Sequence, residues 1–594
     1  MDIDEFCKLL IKELVSNKVK TPEDAIKLRG ALCRQYHPKS MPSFIQILAY
    51  ASNEEYKTLS FLQSKPSRTI AGVSPIAIMT KPMKCPHGKC LMCPGGVDSF
   101  FGSTPQSYTG KEPAARRAMR NNYDAYIQVF NRLEQYTLLN HPVDKSELII
   151  MGGTFPAADV EYQDEFMANA LKAMNDFSEL FYKANKTQKD MPEAGFLDFI
   201  KFKQFFEFPG DKNNEERIKS VVSKIIALKG NALLDEEKKR NETARARCVT
   251  MCIETRPDYC REEHINQMLK LGCTRVELGV QSIYNDVLKR IERGHSAEDS
   301  IKATQLMKDS FLKAGYHIMP GLPLSDETRD IEMFKELFSN PDYKPDTLKI
   351  YPCMVVKGTR LYDEWKKCKF KPITTGKAAN IIAEAKQYIE PYCRVMRVQR
   401  DIPSKFIEAG VDITNLRQEV NELLEKNKIE CRCIRCSEPR ESIAKRSLSL
   451  VHKAGLYTPK AKEIDYSKAK LKRYDYDASG GKEIFLSYNA DKTLLGFCRL
   501  RIPYKPFRKE ITEKTAGIRE LHVYASSAEI GEKPSKMQAQ HRGFGAKLME
   551  EAERIAKEEF NKNKMLVIAG IGAKEYFRKK LEYMDEGAYV GKRL

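Results

Sequence analysis

The sequence predicts an α/β protein built from a partial barrel of six β/α units, a second α/β domain and a small helical domain in front of them. Two observations carry this prediction. Between residues 76 and 390, short apolar runs alternate with amphipathic helical patterns, and from residue 476 a separate series of apolar strands surrounds one long helical pattern. A length of 594 residues suits several domains of this kind.

Residues 1–75 are predicted to form the helical N-terminal domain. The runs FCKLLIKELV and SFIQILAYA show apolar spacings of three and four residues. Basic side chains lie between them and could contact phosphate groups, although a solvated helix surface explains them equally well: Lys18, Lys20, Lys27, Arg29, Arg34 and Lys39.

Residues 76–390 are predicted to form the partial barrel. The candidate strands are IAIM, ELIIMGG, VTMCIE, RVELGV, YHIMPG and TLKIYP, with helical patterns such as REEHINQMLKLG between them. Six such units suit a partial barrel better than a complete eightfold one. Residues 184–245 interrupt the alternation and are rich in Lys, Glu and Asn, which predicts a charged helical insertion.

Residues 391–475 are predicted to form a connector, and residues 476–594 the second α/β domain. The connector holds a cysteine cluster and a basic run. In the last domain EIFLSY, LLGFCRLRIP, IRELHVYA and MLVIAG are candidate strands, and GAKLMEEAERIAKEEF is a candidate helix.

The charge balance is strongly basic, with a formal net charge of +19. This suits a polyanionic partner such as nucleic acid, and a lysine-rich solvated surface explains it equally well. We find no signal peptide and no apolar run of about 18 residues, so we expect a cytoplasmic protein without a membrane partner.

The clearest chemical signal is the loop KPMKCPHGKCLMCPGG after the first predicted strand. Cys85, Cys90 and Cys93 can each bind one iron of a [4Fe–4S] cluster and leave the fourth iron open for S-adenosylmethionine, as in radical-SAM barrels. The spacing has one residue more than the usual radical-SAM motif. The alternative is a zinc site completed by His87 or another residue.

Polar residues at the ends of later strands support the radical-SAM interpretation, because strand ends meet at the mouth of a barrel. The turn after the second strand resembles one that contacts the SAM amino group. We therefore expect a cofactor-binding set formed by Gly152, Gly153, Thr154, Glu254, Arg256, Gln281 and Ser282.

The run Gln540-His541-Arg542-Gly543-Phe544-Gly545 comes directly before the long C-terminal helix and is typical of GNAT acetyltransferases. Glycines let backbone N–H groups approach a pyrophosphate, and the helix N-terminus attracts its charge. The strand IRELHVYA would pair with the pantetheine arm of acetyl-CoA, and Tyr576 would lie near the thioester, whereas Phe577 is expected to be a packing residue. The expected acetyl-CoA-binding residues are Glu520, Leu521, His522, Val523, Gln540, His541, Arg542, Gly543, Phe544, Gly545 and Tyr576.

The two motifs on one chain resemble the catalytic subunit of Elongator. The resemblance rests on CPHGKCLMCPGG, SYTGKEPAARRAMRNNYDAY, GGTF, IETRPDYC, RVELGVQS, MRVQRDIP, IRELHVY and MEEAERIAKEEF. The resemblance covers nearly the whole chain beyond residue 70. The chain is most similar to a stand-alone archaeal-type member of the family, for which we expect no obligatory protein complex. The chain departs from the family at Phe577, where a second tyrosine is usual, and at RKKLEY.

This resemblance implies formation of 5-carboxymethyluridine at the tRNA wobble position, with a SAM-derived radical, acetyl-CoA as acyl source and an external electron donor. It implies that Tyr576 is catalytic and that Gln540, Gly543 and Gly545 hold the CoA pyrophosphate. It also implies a structural zinc site at Cys431, Cys433 and Cys436. Cys393 and His452 are the candidates for a fourth zinc ligand, and a trio of metal-free cysteines is the alternative.

Two other functions fit parts of the sequence. A protein lysine acetyltransferase with a structural iron–sulfur domain would use Glu520 as general base. An RNA-binding scaffold would need neither cofactor site. A complete SAM site argues against both, because acetyl transfer and RNA binding do not require it.

Overall fold

The computed structural model describes residues 1–63, 72–183, 196–211, 213–439, 464–524 and 543–594. The strands are β1 Ser74–Met79, β2 Lys145–Met151, β3 Tyr182–Lys183, β4 Phe196–Leu197, β5 Arg247–Thr255, β6 Arg275–Gln281, β7 Lys313–Ile318, β8 Thr347–Ile350, β9 Val355–Val356, β10 Arg394–Arg397, β11 Ile407–Ala409, β12 Ala469–Ala478, β13 Gly481–Ala490, β14 Thr493–Ile502, β15 Thr515–Val523, β16 Lys564–Val567, β17 Met584–Glu586 and β18 Tyr589–Arg593.

The helices are α1 Ile3–Ser16, α2 Pro22–Tyr36, α3 Phe44–Leu48, α4 Asn53–Thr58, α5 Pro113–Arg120, α6 Ala125–Leu138, α7 Val160–Phe181, α8 Phe199–Phe206, α9 Glu215–Lys229, α10 Leu234–Asn241, α11 Glu262–Leu271, α12 Asn285–Arg290, α13 Ala297–Asp309, α14 Glu327–Ser339, α15 Arg360–Lys366, α16 Thr375–Ala385, α17 Leu416–Lys426, α18 Ile434–Ser437, α19 Phe544–Glu558 and α20 Lys574–Leu581. Across the described ranges, no helix has the length and apolar character that crossing a membrane requires.

Helices α1–α4 form the N-terminal domain. The capping serines of α3 and α4, Ser43 and Ser52, fix where those two short helices begin. Tyr56 stacks on Phe199 with 4.0 Å between ring centroids, so the domain rests on the insertion of the barrel. Arg29, one of the predicted basic surface residues, is instead buried and donates to the Pro42 carbonyl, so it does not belong to a phosphate-contacting face.

The barrel is a sheet of seven parallel strands in the order β1-β2-β5-β6-β7-β8-β10. The first six correspond to the six predicted strands. The seventh, β10, pairs with β8, so the sheet extends past the predicted boundary at residue 390 into the connector. The short polar run of β10 lacks the apolar pattern by which the other strands were predicted.

The insertion predicted at 184–245 contains α8, α9 and α10 and packs against α7. Its attachment is aromatic rather than charged. Phe199, Phe202 and Phe206 are fully buried, and Phe202 lies against Phe177 and Phe181 with ring centroids 6.3 and 5.4 Å away. The lysines and glutamates that are frequent in this insertion therefore lie outside an apolar interface between the insertion and α7.

The C-terminal domain is a second seven-stranded sheet in the order β12-β13-β14-β15-β16-β18-β17. It begins at Ala469, ahead of the predicted boundary at 476, because β12 pairs with β13 along its whole length. Strands β15 and β16 are its parallel pair and separate after Ile518 and Val567. Beyond that point β15 pairs with β14, and among the described residues no strand pairs with the other edge of Glu520–Val523.

Buried ion pairs join the two sheets. Asp346, just before β8, accepts hydrogen bonds of 2.7 and 2.6 Å from Arg519 of β15. Asp309, at the end of α13, accepts one of 2.6 Å from Arg501 of β14. All four side chains are inaccessible to solvent. Burial alone would raise the pKa of Asp346, but Arg519 and Arg499 hold it well below its ordinary value.

We expect Arg519→Met to destabilise the protein by about 3–5 kcal/mol, because it leaves Asp346 buried with an incomplete set of partners. The matched control is Arg554→Met, which removes an exposed arginine paired with Glu551 and Glu558. It should cost no more than about 1 kcal/mol. Urea unfolding followed by fluorescence and circular dichroism checks both; equal loss in the two variants would contradict the assigned role of Asp346.

Candidate active site

The mouth of the barrel and the C-terminal sheet enclose one cavity of about 860 Å³. Cys90 and Cys93 of the cysteine loop lie in one wall. Leu521, His522 and Val523 of β15 lie in another. The two sites predicted separately from the sequence therefore open into the same space.

The three cysteines of the loop are held by residues from several elements. The Cys85 sulfur lies 3.6 Å from the Thr154 hydroxyl. Cys93 donates to the Gln106 side-chain oxygen over 3.2 Å. The Cys90 sulfur accepts from Arg293 over 3.6 Å. Burial raises the pKa of Cys85 and of Cys90 above the ordinary value, and the Arg293 guanidinium opposes that rise without cancelling it.

The zinc alternative for the loop would bring its thiolates to about 3.8 Å from one another. Within the described part of the chain, two trios of metal-binding atoms lie inside 4.8 Å of each other, and the loop cysteines form neither. His87 lies 3.1 Å from the Cys90 sulfur, where it is the nearby nitrogen that a zinc site would use. A [4Fe–4S] cluster, in which each thiolate binds a different iron, does not require the three sulfurs to lie that close together.

The Gly152–Thr154 turn packs directly under the loop. A Cβ on Gly152 would lie 2.2 Å from the Thr80 hydroxyl, and one on Gly153 would lie 3.0 Å from the Gln106 Cβ, so glycine is required for this close approach. Gly153, Glu254 and Gln281 line the cavity, as predicted for a cofactor set.

Two members of the predicted SAM-binding set face elsewhere. Arg256 is buried, with hydrogen bonds of 2.9 and 2.6 Å to Asp258 and one to the Gly294 carbonyl, so it supports the loop from behind. The Ser282 hydroxyl accepts from the Tyr284 backbone N–H and closes the turn after β6. Strand-end position alone did not distinguish side chains that turn into the cavity from those that cap a loop.

The sequence analysis missed a charged network on the cavity floor. Lys349 of β8 donates to Glu254 over 2.9 Å and also pairs with Glu277 of β6. His317 of β7 lies 3.0 Å from Glu277, and the Tyr108 hydroxyl donates to Glu254 over 3.0 Å. The available signal was a charged residue inside each apolar strand: RVELGV, YHIMPG and TLKIYP.

Some of the residues predicted to bind acetyl-CoA lie together at the start of α19, where Gly545 adjoins Leu521, Val523 and Tyr576. Gly543 caps this helix with φ +76°, a conformation that favours glycine. A Cβ on Gly545 would lie 3.0 Å from the Tyr576 hydroxyl and 3.7 Å from Val523. Gln540, His541 and Arg542 lie outside the described residues, so the helix N-terminus is the described part of the predicted pyrophosphate site.

Burial indicates the roles of Phe544 and Phe577, and strand geometry indicates where Glu520 and His522 project. Phe544 is buried and packs on Tyr488 with 4.9 Å between ring centroids, so its side chain supports the helix and does not face a ligand. Phe577 is buried beside Tyr583, as expected for a packing residue, and it also lines the cavity. Because β15 alternates its faces, Glu520 and His522 project on the side opposite Leu521 and Val523.

The second cysteine cluster forms a compact trio. The sulfurs of Cys431, Cys433 and Cys436 lie within 4.8 Å of one another, close enough to bind one metal ion. Lys386, which is buried, lies 3.6 Å from the Cys436 sulfur. Cys393 does not join the trio within that distance, and His452 lies outside the described residues. Neither candidate for a fourth ligand gains support from this arrangement.

We expect Cys90→Ser to lose iron and the broad visible absorption that anaerobic reconstitution produces, because the cluster would lose one of three ligands. Cys368→Ser is the matched control, since Cys368 is exposed and outside the cavity. Iron content and the visible spectrum report the outcome. Full iron in the Cys90 variant would exclude the loop as the cluster site.

Comparison with protein families places known modules along the chain. Residues 3–70 match the ELP3 N-terminal domain, 215–334 the Radical SAM superfamily, 345–426 the Radical_SAM C-terminal domain and 453–583 the Acetyltransferase (GNAT) family. The order of these modules agrees with the fold described above.

Similar proteins match over almost the entire length. A tRNA uridine(34) acetyltransferase of Methanocaldococcus infernus is 49% identical and covers 93% of this chain and 92% of its own length. Human Elongator complex protein 3 is 36% identical over 98% of this chain and 94% of its own. A solved structure of the archaeal M. infernus Elp3, deleted at its N-terminus, is 43% identical over 89% of this chain and 100% of its own, with a TM-score of 0.67. The chain therefore belongs to the family of tRNA uridine(34) acetyltransferases and Elongator complex protein 3, the catalytic Elongator subunit that its motifs resemble.

Proposed function

We propose that this protein modifies uridine 34 of tRNA, joining the acetyl methyl carbon of acetyl-CoA to carbon 5 of the base to form 5-carboxymethyluridine. The names of the relatives support the tRNA substrate. The observation that carries the proposal is the shared cavity of about 860 Å³, because it contains the radical-SAM loop in one wall and the acetyltransferase strand in the other.

Cys85, Cys90 and Cys93 are the residues that would hold the [4Fe–4S] cluster, with Gly153, Glu254 and Gln281 lining the adjoining space for S-adenosylmethionine. When bound with SAM and reduced by an external electron donor, this group supplies a carbon radical able to abstract hydrogen from an unactivated C–H bond. Arg293 compensates the negative charge of the thiolates from within the protein.

Leu521 and Val523 would contact acetyl-CoA along the edge of β15 that is left unpaired among the described strands. The start of α19 would bind the pyrophosphate through backbone N–H groups, aided by the glycines there. Tyr576 is 41% exposed beside Gly545, and its neighbour Phe577 lines the cavity, so the Tyr576 hydroxyl would orient the thioester next to the cavity. Joining the methyl carbon to carbon 5 would require loss of the proton on carbon 5 and of one electron, which the oxidised cluster would accept, and hydrolysis of the thioester would then release CoA and leave the carboxymethyl group.

The lysine acetyltransferase alternative requires Glu520 to act as a general base. Glu520 is paired with Lys313 and with Arg499, at 2.8 Å in each case. Burial alone would raise the pKa of Glu520, but these two cations hold it well below its ordinary value. A carboxylate so strongly stabilised as an anion is a poor proton acceptor near neutral pH, so this contact set supports the radical reaction over simple acetyl transfer.

The basic residues at the barrel entrance support a tRNA partner. Arg116, Arg117 and Arg120 follow one another on α5, and Arg117 borders the cavity. With a formal net charge of +19 on the chain, contacts to phosphate groups would supply much of the affinity. No sequence specificity follows from these residues.

We expect acetyl-CoA with a deuterated methyl group to leave two deuterons in the carboxymethyl group and to transfer the third to 5′-deoxyadenosine. Tyr576→Phe should lower product yield at unchanged iron content, and Tyr504→Phe, at an exposed tyrosine of the same domain, should not. Mass spectrometry of tRNA nucleosides and of 5′-deoxyadenosine measures both. Normal modification with unlabelled 5′-deoxyadenosine would exclude the methyl group as hydrogen donor.

Cys431, Cys433 and Cys436 are further proposed to bind a structural Zn²⁺ ion. Their compact sulfur arrangement supports a tetrahedral site, and the Lys386 ammonium beside Cys436 offsets the negative charge of three thiolates. The bound ion would hold the short helix α18 in place within the connector. The Ile434 N–H of this helix also donates to the Cys393 carbonyl over 2.9 Å.

Cys433→Ser should lose zinc while the loop still takes up iron, because the two cysteine sets are separate. Cys393→Ser, at a buried cysteine outside the trio, should retain zinc. Elemental analysis of aerobically purified protein tests this. Loss of zinc from the Cys393 variant, with the fold intact by circular dichroism, would instead identify Cys393 as a ligand.

A further inference from the structure

A second cavity of about 440 Å³ lies between the barrel and the C-terminal domain. Ile568 and Ala569 border both this cavity and the central one, so a single segment separates the two. The remaining walls come from α10 and α11 of the barrel, from the loop before β15, from the start of α20 and from the turn between β17 and β18.

The charged residues that line this second cavity are predominantly basic. Glu510 is the acidic residue among its described lining residues. The basic ones come from both domains and comprise Lys238, Lys270, Arg508, Lys509 and Lys574. An excess of cations in a concave site creates a strongly positive local potential, which attracts anions more effectively than the same charges on a flat surface.

Some of these cations are already paired. Lys238 pairs with the exposed Asp235 at 3.2 Å and donates to the Lys270 carbonyl over 2.9 Å. Lys270 pairs with Asp164 at 2.5 Å, and Arg508 with Glu510 at 2.6 Å. Within the described ranges, the Lys574 ammonium has no hydrogen-bond or ion-pair partner.

The surroundings of Lys574 add to the electrostatic imbalance. Burial lowers the pKa of Lys574, and nearby Lys238 lowers it further by repulsion, against the opposing effect of Asp585 and Glu242. The Arg508 Nε atom is also buried, and no described residue is hydrogen-bonded to it. Partly desolvated cations that repel one another across a cavity are stabilised when an anion lies between them.

We propose that this cavity is a binding site for a phosphate-bearing anion, with Lys574 and Lys238 as its principal contacts. Lysine ammonium groups bind phosphate oxygens as point charges without a fixed geometry, which suits a pocket assembled from two domains. The volume of about 440 Å³ accommodates a pyrophosphate or the phosphorylated end of a small molecule or RNA strand. The site is independent of the proposed reaction at the central cavity.

Isothermal titration with inorganic pyrophosphate tests this site. We expect saturable binding to the full-length protein, weakened about tenfold or more in Lys238→Gln/Lys574→Gln, because two charge-assisted contacts to the anion are lost. The matched control is Lys219→Gln/Lys426→Gln, which removes two exposed lysines away from the cavity. Equal weakening in both variants, or no saturation at millimolar pyrophosphate, would overturn the proposal.

A second measurement does not depend on the variants folding. In acetic anhydride labelling of the wild-type protein, pyrophosphate should protect Lys574 and leave Lys219 reactive; uniform protection, or none, would show that the anion does not occupy this cavity.

Competition then identifies the source of the phosphate. Displacement of pyrophosphate by tRNA assigns the site to an RNA backbone, and retention assigns it to a small phosphorylated molecule.

Discussion

Asp346 is the point on which the relative position of the two sheets depends. Its backbone N–H donates to the Ala314 carbonyl of β7, and its own carbonyl accepts from Arg394 of β10. Its carboxylate accepts two hydrogen bonds from Arg519 of β15. One residue therefore joins the barrel edge to the strand that forms the acetyltransferase wall. Removing these charges from water is costly, and their mutual attraction offsets that cost only while all the partners keep this geometry.

This joint determines what β15 presents to the cavity. With Arg519 fixed on Asp346, the next residue on the same strand, Glu520, lies against Lys313 of β7 and Arg499 of β14. Leu521 and Val523 then face α19 and Tyr576. A reaction between groups carried by two cofactors requires their separation to be fixed to a fraction of an ångström. A joint of buried ion pairs provides such a constraint, which a flexible linker between domains would not.

The sequence predicted the elements whose signal is local. The cysteine loop, the Gly152–Thr154 turn and the glycines at the start of α19 each depend on residue type at short spacing. The structure brings the loop and the turn to one cavity, and it places Gly545 beside Val523 of the opposite wall. It could not separate Gln281, which lines the cavity, from Ser282, which caps a turn, because adjacent residues share the same position in the pattern. The pairing of β10 was equally hidden, since four residues carry too little periodicity to predict a strand.

The charged floor of the cavity shows why long-range pairing escapes sequence reasoning. Glu254, Glu277 and His317 come from three strands, and their ligand atoms lie within 4.8 Å of one another, a spacing that could hold a metal ion. Lys349, from a fourth strand, already pairs with both carboxylates there. The Lys349 ammonium supplies the positive charge that a metal ion would bring. A metal ion would therefore be repelled by Lys349, and both carboxylates there are already paired. Each of these residues taken alone is a polar interruption of an apolar strand. Their role follows from the register of four parallel strands, which sets the four side chains around one point and leaves Glu254, His317 and Lys349 each partly open to the cavity.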